Sequence, residues 1–372
     1  MAKTFKSQDI VEQIVEGKLS RRQLGRMMAA FGITAVTMPV VGRRALSAEE
    51  VVYFTWAGYD IPEMYQAFID ETGAPPKTPI FADEEEALQK LRAGFSADVV
   101  HPCSGRIGRW READVVQPID TGKLSNWENV FPDLKGVNGA DADGSQWFIP
   151  VDWGNTSVLY RTDMVENPEE SWSLLFDEKY KGRLSIGNDV TDTGIIAGLM
   201  IGAKDPYDMS DEELEKVRAL WQKQKPLIRL YWTDTTELEQ AMASGEVVAG
   251  SAWNSSVLAL RNQGIPVEYM NPKEGILCWC CGLVLDKRAK NVAGAHELMD
   301  AIISPETGTF LITEYGYGHS NQKAFDNVTD EQLAAIGLPR DPQEMFARGV
   351  FSKPNKRLSE LQQTFEEVKA GL

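Results

Sequence analysis

Three cysteines surround a tryptophan in the segment 271–286, NPKEGILCWCCGLVLD, and the chain holds one more, Cys103. Cys278, Cys280 and Cys281 stand too close together for the paired C-x2-C turns of structural zinc sites, and the three histidines, His101, His296 and His319, show no ligand spacing. No metal site and no cofactor are therefore expected. Walker-type glycine loops and a G-x-S-x-G elbow are also missing from the sequence, which argues against nucleotide chemistry and serine hydrolysis. The cysteines are left with three uses: pocket wall, disulfide or nucleophile.

A different chemistry is suggested by aromatic residues beside acids. Trp56 and Tyr59 follow the first apolar run, Trp253 closes GEVVAGSAW, Trp279 sits among the cysteines, and Asp189 and Asp192 flank a strand-to-helix turn. An organic amine needs this combination. Its methylenes pack on flat apolar walls, its ammonium pairs with carboxylate, and a cation over an indole face gains ~0.5–2 kcal/mol. The same residues have plainer uses, as core tryptophans and as acids at a helix N-terminus, and spacing alone leaves both open.

The elements that must position these residues alternate. VVYFTW (51–56) reads as a strand, followed by a turn at Gly58 and a helix with Met64, Phe68 and Ile69 on one face. A helix through Ala87, Leu88 and Leu91 precedes a second buried strand over 97–101. Strands alternating with helices predict an α/β fold with a largely parallel sheet. Residues 145–163 differ: they are extended throughout, with Pro150 and Gly154 inside, and predict a path that crosses between two lobes. Beyond them come a helix starting near Asp192 or Thr193, a polar helix over 210–225, two helices broken at Pro305, and an amphipathic tail.

The N-terminus belongs to targeting rather than to the fold. Paired Arg21 and Arg22, an uncharged run from Met27 to Val41 and small residues at 45–48 predict a twin-arginine export signal over residues 1–48, removed on export to the periplasm. The run falls short of the ~20 apolar residues that span a bilayer. Residues 1–48 carry eight Lys/Arg and three Asp/Glu, so their removal takes the formal charge from −17 to −22. Such an acidic protein repels nucleic acid and anionic membrane surfaces and tolerates cations.

The blocks YFTWAGYDIPEMYQAFIDETG, ADVVHPCSG, FIPVDWGNTSVLY, NDVTDTGIIAGL, SGEVVAGSAWNSS, NPKEGILCWCCGLVLD and YGYGHSN occur in an order that resembles the spermidine/putrescine-binding periplasmic proteins of ABC importers. The resemblance implies a type II periplasmic-binding-protein fold, with two α/β lobes, a hinge and a ligand cleft. The lobes would comprise residues 49–153 plus 280–320 and residues 154–279 plus 321–372. It further implies a monomer that captures a small cationic ligand, most simply a diamine or polyamine, and hands it to an inner-membrane ABC permease after export by the twin-arginine machinery. Trp56, Tyr59, Asp189, Asp192, Trp253 and Trp279 match the family's aromatic and acidic ligand positions.

Several positions depart from that pattern. Cys281 stands where the family carries an amine-pairing aspartate, Cys103 replaces a serine with Ser104 beside it, Gly105 replaces an aromatic, and Gly58 a commonly acidic residue. Cys103 and Cys281 would then face the cleft as small thiol walls, or join as a disulfide, with Cys278 and Cys280 on the opposite face. Asp152 could supply the missing charge, although alternation sets it opposite Trp153. With few acids, the cleft suits a diamine better than a triply charged amine. A quaternary ammonium or betaine-like solute is the alternative, and a ferric carrier using Tyr315 and Tyr317 is a weaker one. Thiamine-degrading enzymes of related fold imply an enzymatic reading, with Cys103 as nucleophile and His101 the nearest histidine in sequence.

Overall fold

A computed structural model describes residues 50–347 and 349–372. The proposed export signal lies outside the described residues, which fall within one compact unit, Leu46–Leu372. No helix among them is long and apolar enough to cross a membrane.

Twelve strands form the sheet: β1 (Tyr53–Trp56), β2 (Ile80–Phe81), β3 (Val99–Val100), β4 (Val116–Gln117), β5 (Ile149–Arg161), β6 (Leu184–Gly187), β7 (Ile228–Trp232), β8 (Ala249–Trp253), β9 (Val267–Tyr269), β10 (Leu277–Asp286), β11 (Gly318–His319) and β12 (Val350–Phe351). The main order is β2-β1-β3-β10-β5-β8-β6-β7. At one end β2, β1 and β3 run parallel, and at the other so do β8, β6 and β7. Each parallel group is built from strand–helix repeats, as the alternating sequence predicts.

Between the groups stand the two longest strands, β5 and β10, antiparallel to each other. Each pairs with one group and with the other long strand. Strand β10 pairs with β3 through Val284 and Leu285, and with β5 from Leu277 onward. Strand β5 pairs with β8 through Thr156–Tyr160 and with β11 at Asp152 and Trp153. The extended reading of residues 145–163 thus corresponds to a continuous 13-residue strand.

The register between β5 and β10 shifts between Cys281 and Gly282, opposite Pro150. The residue passed over is Val151, and Pro150 beside it brings no N–H to the ladder. A Cβ at Gly282 would run into the Ile149 carbonyl, so only glycine fits this close approach.

Side chains alternate across β10. Cys278 and Cys280 enter the cluster formed by Phe54, Leu88, Trp110 and Trp153, which also takes in Phe325 and Leu333. A second cluster gathers Tyr53, Tyr59, Met64, Leu298 and Leu311. Separate clusters around Trp172 and Ile196, around Leu238 and Met242, and around Trp221 and Phe365 support the β8-β6-β7 group. The last of these seats the tail helix Leu358–Ala370. The predicted polar helix is Asp211–Gln224, opened by a capping box between Ser210 and Glu213.

Candidate functional site

The register of the two long strands builds one face of the site. Directly opposed residues of an antiparallel pair point to the same side, and residues two apart share that side. Trp279 of β10 lies opposite Gly154, and Trp253 of β8 lies opposite Thr156. Gly154 and Thr156 are two apart, so the two indoles stand on the same face, one on each flank of β5. A Cβ on Gly154 would lie 2.5 Å from Trp279 Cζ2 and 2.6 Å from Asn254 Oδ1. The missing side chain is the space that the Trp279 ring occupies.

Both rings are braced from behind. Trp253 meets Trp232 edge to face at 5.2 Å, and Trp232 is fixed by its Nε1, which donates to the Ser251 carbonyl at 2.9 Å. Trp279 meets Tyr317 edge to face at 5.0 Å, and the Tyr317 hydroxyl lies 3.0 Å from Ser255 Oγ. The Trp279 Nε1 is buried without a partner, which an ammonium, itself a donor, does not satisfy. Trp56 packs edge to face on Phe81 at 4.4 Å. Trp56, Trp253 and Trp279 are all partly buried against the same cluster, which contains Tyr59 and Tyr317.

The acids arrive on a helix start. Asp189 caps the helix Val190–Met200 by accepting from the Thr191 N–H at 2.8 Å, and Asp192 lies in its first turn. The helix therefore begins before the predicted Asp192 or Thr193, because Asp189 is a competent cap. Thr156 Oγ1 donates to Asp192 Oδ2 at 2.7 Å, and the Trp253 side chain also hydrogen-bonds this carboxyl. Burial, reinforced by the nearby Asp189 charge and partly offset by these two bonds, pushes the Asp192 carboxyl up to about 6. Asp189 itself is exposed.

Sequence reading missed Glu84 and Arg106. Arg106 Nε donates to Glu84 Oε2 at 2.9 Å, and Arg106 Nη2 lies 3.4 Å from Thr191 Oγ1, on the turn between the two aspartates. Glu84 Oε1 also accepts from the Cys103 N–H at 2.6 Å. The charge of Asp189 acts on both members of the pair. Burial pushes the Glu84 carboxyl up, against the pull of Arg106. Glu84 looks in sequence like one of three ordinary acids opening a helix, and nothing in that pattern signals an ion pair reaching another helix.

Cys103 and Cys281 are joined as a disulfide, which corrects the thiol-wall expectation. They oppose each other as an isolated antiparallel bridge, and β10 brings Cys281 onto the same face as Trp279. Cys103 therefore lacks the free thiol that a nucleophile requires. The remaining thiols, Cys278 and Cys280, are buried, and burial pushes Cys278 up to about 12 and Cys280 also upward. Ser104 is buried too, its hydroxyl accepting from Asn138 Nδ2 at 2.9 Å.

Asp152 lies on the same face of β5 as Gly154 and Thr156, but its side chain is only 3% exposed. Tyr59, itself buried, donates to Asp152 Oδ2 at 2.7 Å, and His101 Nε2 lies 3.1 Å from Asp152 Oδ1. A carboxylate can only accept, so His101 Nε2 donates to Asp152, and His101 Nδ1 lies 2.8 Å from the Tyr53 hydroxyl. Asp152 and Tyr59 thus form a satisfied interior network. Tyr315 donates to the Gly58 carbonyl, and among the described residues no group of three or more His, Cys, Asp and Glu could hold a metal ion.

A surface groove of 1220 Å3 is lined by Lys204, Tyr207, Glu212, Lys353 and Arg357 among others, and the charge of Asp192 reaches it at Tyr207. Its acids are answered locally, Asp205 by Lys353 at 3.0 Å and Asp208 by Lys356 at 2.6 Å. It offers an organic cation no surplus carboxylate of the kind that Asp189 and Asp192 provide.

Two parallel groups joined by paired crossing strands, with tryptophans of β8 and β10 and the acids of a helix start gathered beside them, define a solute-binding protein. The chain belongs to the bacterial extracellular solute-binding protein family, whose model matches residues 64–337. It is 26% identical to a spermidine/putrescine-binding periplasmic protein of Escherichia coli over 359 residues, covering 95% of this chain and 99% of that one. A putrescine/agmatine-binding protein of Pseudomonas aeruginosa is 28% identical over 292 residues, covering 74% of this chain and 79% of the relative. The solved spermidine/putrescine ABC transporter substrate-binding protein of Streptococcus pneumoniae superposes with a TM-score of 0.71 at 21% identity, covering 87% of this chain and all of that one. That likeness establishes the type II fold.

Proposed function

We propose that this protein captures a small organic amine, a diamine in the first instance, in the periplasm and delivers it to an ABC permease. The observation that carries the reading is the placing of Trp253 and Trp279 on one face across β5, with the Asp192 carboxyl reached by Thr156 and Trp253 and with Asp189 close by. Methylenes lie between the indoles, and the ammonium groups take Asp189 and Asp192. The names of the relatives above support the ligand class. Residues 1–48 serve as the twin-arginine signal, and the mature protein works as a monomer without catalytic activity.

Two lobes are assigned, residues 49–153 plus 280–320 and residues 154–279 plus 321–372, with the segment around Phe325 and Leu333 packed against the first. Binding closes them because contacts from both sides exist together only in the shut state. Micromolar capture corresponds to about 8 kcal/mol. Two charge-assisted pairs and cation–aromatic contacts of ~0.5–2 kcal/mol each reach that range after the cost of closure.

The pH dependence of binding tests the role of Asp192. Its carboxyl, held above the ordinary range, takes up a proton as pH falls through about 6, and a protonated carboxyl no longer holds an ammonium by charge. Calorimetry should show putrescine binding at neutral pH and weakening by about tenfold near pH 5. Affinity that stays flat or improves on acidification removes Asp192 from the ammonium contact. Tight binding of betaine or choline with no response to diamines replaces the amine reading altogether.

A further inference from the structure

The pair formed by Glu84 and Arg106 stands beside the ligand acids, and the aromatic and acidic pattern alone gives it no role. Its geometry is that of a cation already installed. Arg106 is held by Glu84 at 2.9 Å, its outer nitrogen reaches Thr191 at 3.4 Å, and the charge of Asp189 acts on it. Both partners are largely covered, with side-chain exposures of 23% for Arg106 and 13% for Glu84. Glu84 is pinned further by the backbone N–H of Cys103, which the bond to Cys281 ties to β10. A guanidinium fixed in this way cannot swing out of the site when an amine enters.

We propose that Arg106 sets the charge count of the ligand: its guanidinium occupies Glu84, leaving Asp189 and Asp192 for a guest with two ammonium groups and excluding one with three. This rests on the amine reading above. Three carboxylates and one guanidinium sum to two negative charges, which a dication neutralises. A third ammonium would be buried near an arginine with no free partner, an arrangement that is costly both as like-charge repulsion and as an unpaired buried ion.

The test is the ratio of spermidine to putrescine affinity, measured by calorimetry on the full chain as purified. In Arg106→Gln the released Glu84 becomes a partner for a third ammonium, and the ratio should rise at least tenfold in favour of spermidine. Arg106→Lys keeps a cation and should keep the wild-type ratio. The doubly neutral Glu84→Gln/Arg106→Gln protein restores the count and should return the ratio toward wild type. If Arg106→Gln does not fold, Glu84→Gln carries the test, because an unopposed Arg106 should then weaken spermidine more than putrescine. An unchanged ratio in the folded variants, or an equal loss for both amines, overturns the assignment and leaves Arg106 a brace between helices. A wild-type protein that binds putrescine separates that failure from failure of the amine reading, whereas one that binds no amine ends both.

Discussion

Asp192→Asn is expected to weaken diamine binding by about 30-fold to several thousandfold, the range for truncating one partner of a buried charge pair, while making the ligand-free protein more stable. The two effects have one cause. The Asp192 carboxyl stands at about 6 in the fold against an ordinary 3.8, so the folded state binds a proton that the unfolded state releases. The sign follows: the penalty is absent below the ordinary value, grows as pH rises toward about 6, and is fully present at neutral pH. An asparagine removes it while keeping an acceptor for Thr156 and Trp253. Thermal melts at neutral pH should show the gain and melts near pH 3 should not, whereas a neutral-pH loss of stability would mean that the carboxylate is structural. In the wild type the incoming ammonium offsets the same penalty, which links occupancy to closure.

Gly154→Ala is expected to cost at least tenfold in affinity without touching any polar ligand contact. The new methyl would lie 2.5 Å from Trp279 Cζ2 and 2.6 Å from Asn254 Oδ1, and one of them must move. Asn254 is the harder to displace, being fully buried and bonded to both Asn155 and Gly316. The indole therefore swings, and the wall opposite Trp253 is lost. A double-mutant cycle reads this directly: in a Trp279→Ala background the Gly154→Ala change should cost little more in binding. Additive losses would show that Gly154 acts through the strand rather than through the ring.

Much of the architecture was legible because each β-α repeat writes its own pattern of apolar residues. The extended segment around Pro150 and Gly154 marked a crossing strand, since no short strand of a compact sheet needs that length. The aromatic residues were legible as types. Their convergence depends on a register that places Trp279 against Gly154 and Trp253 against Thr156, and register is a property of pairing that no single strand displays. Cys103 and Cys281 lie 178 residues apart, and only the approach of β10 to the loop after β3 brings them together. Arg106 was invisible for a related reason. Its partner Glu84 sits on another element and reads locally as a helix-opening acid. Tyr59 and Asp152 show the opposite limit: both were found in sequence, and only packing tells that they satisfy each other in the interior.

The most direct measurement is a structure of the protein crystallised with putrescine. Methylenes should lie between Trp253 and Trp279, with ammonium nitrogens at hydrogen-bond distance from Asp189 and Asp192 and Arg106 still on Glu84. Putrescine seated in the groove between Lys204 and Arg357, or bound with neither aspartate within reach, contradicts that placement.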